Sequence, residues 1–337
     1  MDAIRFLNFL HDFAANSAQK TSAKATGDGK TSAPDLADTF TAFESQLKAL
    51  MSTSASSAPA PTTAPSNGDE FVIGGGSQSS ADLDKSLAAT EAMLAAPADG
   101  STVVVMPGGN ATIFPHVYPN LRYSMADLKP LASVCSFTFA LGVGPGTPAK
   151  TLKEFVDWAK ANPGKASYGT PGAGTAMHFM GVMFGRLAGI DFQHVPYRGG
   201  AAAMTDILGG NIPALATTLP NLVTHHKSGK LRILAFSGEQ PLPGLPGVST
   251  FKDLGYPDLQ INEVFGLFAS SKTPAPIVAE LEKAMLTAAK SPRLVAAIEK
   301  LEFDSSVLNS ADLSRQLKAD FERWGPVIKA TGYTADK

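Results

Sequence analysis

Apolar residues recur at spacings of three and four in two stretches near the start of the chain, Ile4, Leu7, Leu10 and Ala14, then Leu36, Phe40, Phe43, Leu47 and Leu50. Each spacing puts its set on one helical face and predicts a short amphipathic helix. Thr21 to Ser32, rich in Ser, Thr, Lys and Gly, reads as the loop between them. Helices this short are marginal alone in water, so they call for a partner: each other, the main body or a second protein. The other reading is a weakly ordered tail. Between Ser52 and Gly68, fifteen of seventeen residues are Ser, Thr, Ala or Pro, a composition that cannot bury apolar surface and reads as a linker.

From Glu70 the pattern becomes strand, glycine turn, helix. Phe71-Val72-Ile73 runs into Gly74-Gly75-Gly76, and Leu83, Leu87, Met93 and Leu94 mark a helix ending at Pro97. The β-branched run Val103-Val104-Val105 predicts a buried strand over Ser101 to Met106. Thr151 with Glu154 forms a capping box for a helix that Pro163-Gly164 stops. Thr273-Pro274 and Ser291-Pro292 open two later helices, and Ser310 caps a third carrying Leu313, Leu317, Phe321 and Trp324. Strands alternating with helices imply α/β units around a largely parallel sheet.

A length of 337 residues suggests two folded units with a remainder. The hydrophobic fraction of 44% is enough for real cores, and charged residues, at 17%, fall below the roughly 25% of an average soluble chain. A net charge of −2 with no basic block excludes a nucleic-acid footprint. A single cysteine, Cys135, excludes an internal disulfide and a cysteine-cluster metal site. Asn8, His11 and Asp12 break the first apolar stretch, so no secretory signal is predicted there. The longest uncharged run, Pro130 to Ala149, holds three prolines and three glycines and suits crossing strands rather than a membrane helix.

The richest stretch for chemistry is Tyr168-Gly169-Thr170-Pro171-Gly172-Ala173-Gly174-Thr175, where a short strand meets a helix start. Glycines admit close backbone approach, and the free N–H groups of a helix start favour an anion. No nucleotide-phosphate loop pattern is present, so the cradle suits a carboxylate, and a purely structural turn is the competing reading. His194-Val195-Pro196-Tyr197 leads through Arg198-Gly199-Gly200 into a second helix start bearing Asp206, and two cradles so close in sequence imply one cleft. Tyr197 offers a hydroxyl there, while Arg198 reads first as a solvated turn residue. His178, His194, His225 and His226 lack the spacing and the acidic partner of a metal site. No Gly-x-Ser-x-Gly elbow appears, Cys135 lies in an apolar run that keeps a thiol inert, and the carboxylates Asp312 with Asp320 and Glu280 with Glu282 read as solvated helix faces.

Pro163-Gly164-Lys165, Tyr168 to Thr175, His194 to Gly199 and Asp206-Ile207-Leu208-Gly209-Gly210, in that order, resemble the Bug (TctC-like) family of extracytoplasmic solute receptors, the binding proteins of tripartite tricarboxylate transporters. Asp99-Gly100, Pro115-His116-Val117-Tyr118-Pro119, Leu219-Pro220, Leu245-Pro246-Gly247, Phe265-Gly266-Leu267-Phe268 and Thr273-Pro274 fall in the family's order too, over roughly Pro97 to Lys337. The resemblance implies an α/β, two-lobed, periplasmic-binding-protein-like (type II) fold with a central cleft. Its expected organisation is a tail and linker over 1–70, a discontinuous first lobe over 71–140 and 236–337, and a second lobe over 141–235. It implies capture of a small carboxylate by lobe closure, transporter membrane subunits as partners, a periplasmic setting, and neither cofactor nor catalysis. The ligand-binding residues it implies are Gly172, Gly174, Thr175 and His178 on the second lobe, Asp206 near the cleft, and Gly108, Gly109 and Asn110 on the first-lobe rim. Family members carry two strand-glycine-helix units ahead of the Asp-Gly, and this sequence presents one, so the first lobe is expected to be shortened: if Gly74-Gly75-Gly76 is the first glycine loop, Gly76, Ser77 and Ser79 face the ligand, and if it is the second, that half of the site is gone. The alternative is a protein that keeps the fold, binds ligand weakly or not at all, and uses its N-terminal helices to recruit a partner. With no secretory signal read, a cytoplasmic location or non-classical export stays open.

Overall fold

In the computed structural model the described residues are 72–73, 80–290, 292–300 and 303–335. The two expected N-terminal helices, the linker, and Gly76, Ser77 and Ser79 lie outside them. Ahead of β2 (Val104–Pro107) the described residues hold a two-residue strand, β1 (Val72–Ile73), and helix α1 (Ser80–Ala95). Asp99 ends the connection: its carboxylate accepts from the Ser101 amide at 2.9 Å and from the Ser101 hydroxyl at 2.6 Å. The strand therefore begins later than Ser101, at Val104. Two short helices, α2 (Gly109–Thr112) and α3 (Phe114–Val117), follow it.

β3 (Leu128–Val143) is a single 16-residue strand that belongs to both halves of the molecule. Its first part, Leu128 to Thr138, pairs antiparallel with β8 (Asn262–Ser270), and β8 pairs antiparallel with β2, which lies parallel to β1. Its last part, Phe139 to Val143, pairs with β6 (Ala214–Thr218) on one side and β7 (Arg232–Phe236) on the other. Beyond β6 lie β4 (Ser167–Thr170) and β5 (Gln193–Pro196), both parallel. The sheet is thus mixed rather than largely parallel as the alternation implied: β1–β2 and β6–β4–β5 are parallel, and every pair that involves β3 or β8 is antiparallel. A second crossing strengthens the first: Ser237 N–H donates to Phe139 O at 2.8 Å, and Ile261 N–H to Ser237 O at 3.0 Å. The intervening Phe251 and Tyr256 pack on Phe184, so the chain stays with the second half until Ile261.

The helices start where their capping chemistry directs. In α4 (Leu152–Ala161) the Thr151 hydroxyl accepts from Glu154 N–H at 3.1 Å, while the Glu154 carboxylate takes the Lys150 amide at 2.7 Å. Leu152, Phe155, Val156 and Ala159 face the core at spacings of one, three and four. α5 (Ala176–Ala188) is capped by Thr175 and ended by Gly189 in the left-handed region. α6 (Gly200–Gly209) and α7 (Leu219–Lys227) follow β5 and β6. α8 (Ala275–Ala289) and α9 (Pro292–Lys300) cover the first half.

The last helix, α10 (Ser310–Thr331), is capped by Asn309 rather than Ser310: the Asn309 side chain accepts from Asp312 N–H at 2.9 Å. Ser310 instead donates its hydroxyl to Pro130 O at 2.7 Å, and Glu282 accepts the Ser310 amide at 3.0 Å. α10 spans both halves. Leu313 and Leu317 pack with Val264 and Phe268 of the first, whereas Trp324 meets Phe179 of the second at 6.3 Å between ring centroids. Beyond it, Ala335 N–H donates to Val117 O at 2.9 Å and ties the segment down.

Candidate functional site

A cleft of about 440 Å³ opens where β3 passes from one sheet to the other. From the second lobe, Pro171 and Met177 line it at the two ends of the β4–α5 loop, and Gly200, Ala201 and Met204 line it from the first turns of α6. Thr217 and Thr218 at the end of β6 and Asn221 in the first turn of α7 complete that side, with Leu215 and His225. From the first lobe come Phe137 on β3, Phe265 on β8, and Phe303. Cleft size falls within the range of small-molecule sites.

The polar capacity of the cleft lies on one wall. α6 begins after Gly199 and α7 after Thr218, neither with a side-chain cap, and both first turns contribute lining residues. Uncapped N–H groups and the helix dipole at such ends attract an anion. Gly199, at φ 100°, occupies a conformation open to glycine, and a Cβ at Gly200 would meet Pro171 alone, at 3.9 Å. Asn221 donates to Thr217 Oγ1 at 3.2 Å, which fixes both over the α7 end. Among the described lining residues there is no lysine, arginine or acid.

The β4–α5 loop carries the residues that the sequence singled out, and most of its polar atoms are engaged internally. Gly172 O accepts from the hydroxyls of Thr170 at 2.9 Å and Thr175 at 3.0 Å, while Gly174 N–H donates to His178 Nδ1 at 3.3 Å. Gly174 has φ +73°, and a Cβ there would lie 3.3 Å from both Tyr333 and Val117. The loop's outer face is therefore covered by α3 and by the segment after α10. Gly172, Gly174, Thr175 and His178 stand immediately behind the lining pair Pro171 and Met177. His178 stacks on His194, centroids 3.9 Å apart, with Tyr333 edge-on at 5.0 Å. Burial pushes His178 down to about 4, and burial together with the neighbouring His178 pushes His194 down to about 3, so both rings are neutral at pH 7.

The remaining predicted residues are placed elsewhere. Asp206, on α6, accepts from the Tyr197 hydroxyl at 2.7 Å and from Asn211 at 3.0 Å, contacts that lower its pKa, the Asn211 bond foremost. Tyr197 thereby spends its hydroxyl on Asp206, and Arg198 is exposed. Asn110 is buried between α1 and Tyr123, whose hydroxyl donates to Asn110 O at 3.0 Å. Gly108 N–H donates to Val264 O at 2.9 Å, and Gly109 N–H to Glu263 Oε1 at 3.1 Å. Here the molecule's own carboxyl group, that of Glu263, occupies the glycine turn of the first lobe. Burial, then Asp320, pushes Glu263 up to about 8, and burial raises Asp320 to about 6 despite Arg323 at 3.6 Å. Asp320 thus does not belong to a solvated face as its sequence context suggested. It is enclosed by the packing of α10 on the first lobe.

Sequence reasoning missed the aromatic wall and the start of α7. Thr218-Leu219-Pro220 carries a usable signal for the latter, since proline favours the first helical turn. Among the described residues no group of three His, Cys, Asp or Glu is arranged to hold a metal ion, and no helix is long and apolar enough to cross a membrane.

Two α/β lobes joined by crossing strands, with a small cleft at the crossing, define a binding-protein fold. Residues 83–333 match the family of tripartite tricarboxylate transporter receptors, TctC, and the chain belongs to that family. It is a family of receptors, not of enzymes. Over 206 residues the chain is 33% identical to a UPF0065 protein in the gbd 5′ region of Cupriavidus necator, a match spanning 61% of this chain and 62% of that relative. A solved periplasmic transporter structure superposes with a TM-score of 0.66 at 29% identity, over 74% of this chain and 84% of the other. The periplasmic binding protein BugD superposes with a TM-score of 0.64 at 25% identity, over 74% and 85%.

Proposed function

We propose that this protein is a solute receptor that captures a small carboxylate in the cleft by lobe closure and presents it to the membrane subunits of a tripartite tricarboxylate-type transporter. The observation that carries the reading is the convergence of two uncapped helix ends, α6 and α7, on one cleft between lobes joined by continuous strands. A carboxylate held by Gly200 and Ala201 amides and by the α7 first turn needs no basic side chain. The first lobe would then swing against the second with β3 and the Ser237–Ile261 crossing as hinges, and residues 238–260, whose Phe251 and Tyr256 pack on Phe184, would move with the second lobe rather than with the 236–337 span that the resemblance implied. Gly172, Gly174, Thr175 and His178 act in this reading as a scaffold that holds Pro171 and Met177 at the cleft, and Asp206 braces Tyr197 and the α6 helix. Gly108, Gly109 and Asn110 set the first-lobe rim. The periplasmic neighbours support an extracytoplasmic place of work.

The test is calorimetric titration of the full chain with mono-, di- and tricarboxylates, beside thermal unfolding. A ligand at 100 times its Kd stabilises the folded state by about 2.7 kcal/mol. A folded protein that responds to no carboxylate overturns the receptor reading.

A further inference from the structure

The two walls of the cleft differ in chemistry, and the difference bears on which carboxylate fits. On the second-lobe side lie the helix ends with Thr217, Thr218 and Asn221. Facing them, the first lobe presents only rings: Phe137 to Phe265 at 5.1 Å between centroids, Phe137 to Phe303 at 5.6 Å, and Phe265 to Phe303 at 6.4 Å. Phe137 is buried, whereas Phe265 and Phe303 keep part of their surface open. Met177, Met204 and Leu215 extend this apolar lining onto the second lobe.

We infer that the cleft selects a monocarboxylate with an apolar, best an aromatic, tail over di- and tricarboxylates. The inference rests on the receptor reading and narrows its ligand class. Each helix end is equivalent to roughly half a positive charge. Two such ends match one carboxylate and leave a second or third without a strong partner, since no lysine or arginine is among the described lining residues and His225 is the one basic side chain there. A second carboxylate aimed across the cleft would lose water against three phenylalanines, and burying an unpaired charge costs far more than a hydrogen bond returns. An apolar tail in the same place removes water from ring surfaces at about 25 cal/mol per Å². A flat ring gains more, through offset or edge contacts with the three-ring cluster. The flexible thioethers of Met177 and Met204 adapt to the outline of the tail.

Calorimetry on the full chain with benzoate, phenylacetate and hexanoate, against succinate, glutarate and citrate, tests this. Benzoate or phenylacetate should bind about tenfold or more tighter than any of the polyacids, a range that apolar pocket contacts reach. Phe303→Ser, at a partly open position, should lose about tenfold toward the aromatic acids while still melting cooperatively. Equal or tighter binding of succinate, glutarate or citrate than of benzoate overturns the inference and leaves the receptor reading standing. Unchanged aromatic-acid affinity in a folded Phe303→Ser overturns the role of the ring wall. No binding of any of the six acids to folded protein overturns both.

Discussion

The imidazoles of His178 and His194 lie face to face, 3.9 Å apart and 19° from parallel, with Thr170 Oγ1 2.7 Å from His194 Nε2. Protonating either ring would place a cation in a buried stack. The folded pKa values lie below the ordinary 6.5, so the native state binds fewer protons than the unfolded chain. Their contribution to stability is present above pH 6.5 and is lost as pH falls through about 4. Denaturant unfolding at pH 7, 5.5 and 4 should show a decline of a few kcal/mol. His178→Gln should flatten that decline. An equally steep decline in the variant would remove the stack from the explanation.

Glu263 has the opposite sign. Its folded pKa of about 8 exceeds the ordinary 4.5, so the native state binds the extra proton. Stability from this group is full below pH 4.5 and is lost as pH rises through about 8. Glu263→Gln keeps an oxygen acceptor for Gly109 N–H and abolishes the titration. The histidine pair gains stability over part of the same range, so the readout is the difference: between pH 5 and pH 8 wild type should lose melting temperature relative to Glu263→Gln. A difference that stays constant with pH would assign the dependence to other groups.

Gly181 exists to make room for a ring. A Cβ there would overlap Tyr168 Cε2, and Tyr168 is fully buried with its hydroxyl donating to His178 O at 2.7 Å. Gly181→Ala should therefore destabilise by about 1–3 kcal/mol, as overpacking does, although alanine is the better helix former. Gly209→Ala, where a Cβ meets Asn211 at an ordinary 3.6 Å, should be neutral or stabilising. Unfolding curves of the two variants supply the contrast.

Cys135 sits on β3 at 6% exposure, and burial pushes its thiol up to about 12. Native labelling by a thiol reagent should be slow and should accelerate with denaturant in step with unfolding. Rapid labelling without denaturant would contradict the packing around β3.

Much of this was legible from local pattern. Thr151 and Thr175 announced their helices because a cap is decided within four residues, and Val103-Val104-Val105 announced a buried strand. The segments 168–175 and 198–201 do deliver lining residues, Pro171, Gly200 and Ala201. What local pattern does not encode is partnership across the chain. Asn309 and Ser310 are both capable caps, and the choice falls to Asn309 because Pro130 O draws the serine away. Glu263 meets Gly109 across 154 residues, and the register of β8 on β3, with Phe303 beside it, brings the three rings together. These depend on strand pairing that periodicity leaves unspecified.

The long strand β3 also sets an order of events during synthesis. The second-lobe sheet closes within Phe139 to Phe236, whereas β2 and the first part of β3 wait for β8, with Val104 opposite Phe268 and Leu128 opposite Ser270. Pairings so distant in sequence form late, because the intervening loop entropy is lost before they reward it. As the chain leaves the ribosome, one end of β3 can be locked in place while the other remains an open edge. Val103 to Met106 and Leu131 to Phe137 are then the segments most in need of a chaperone.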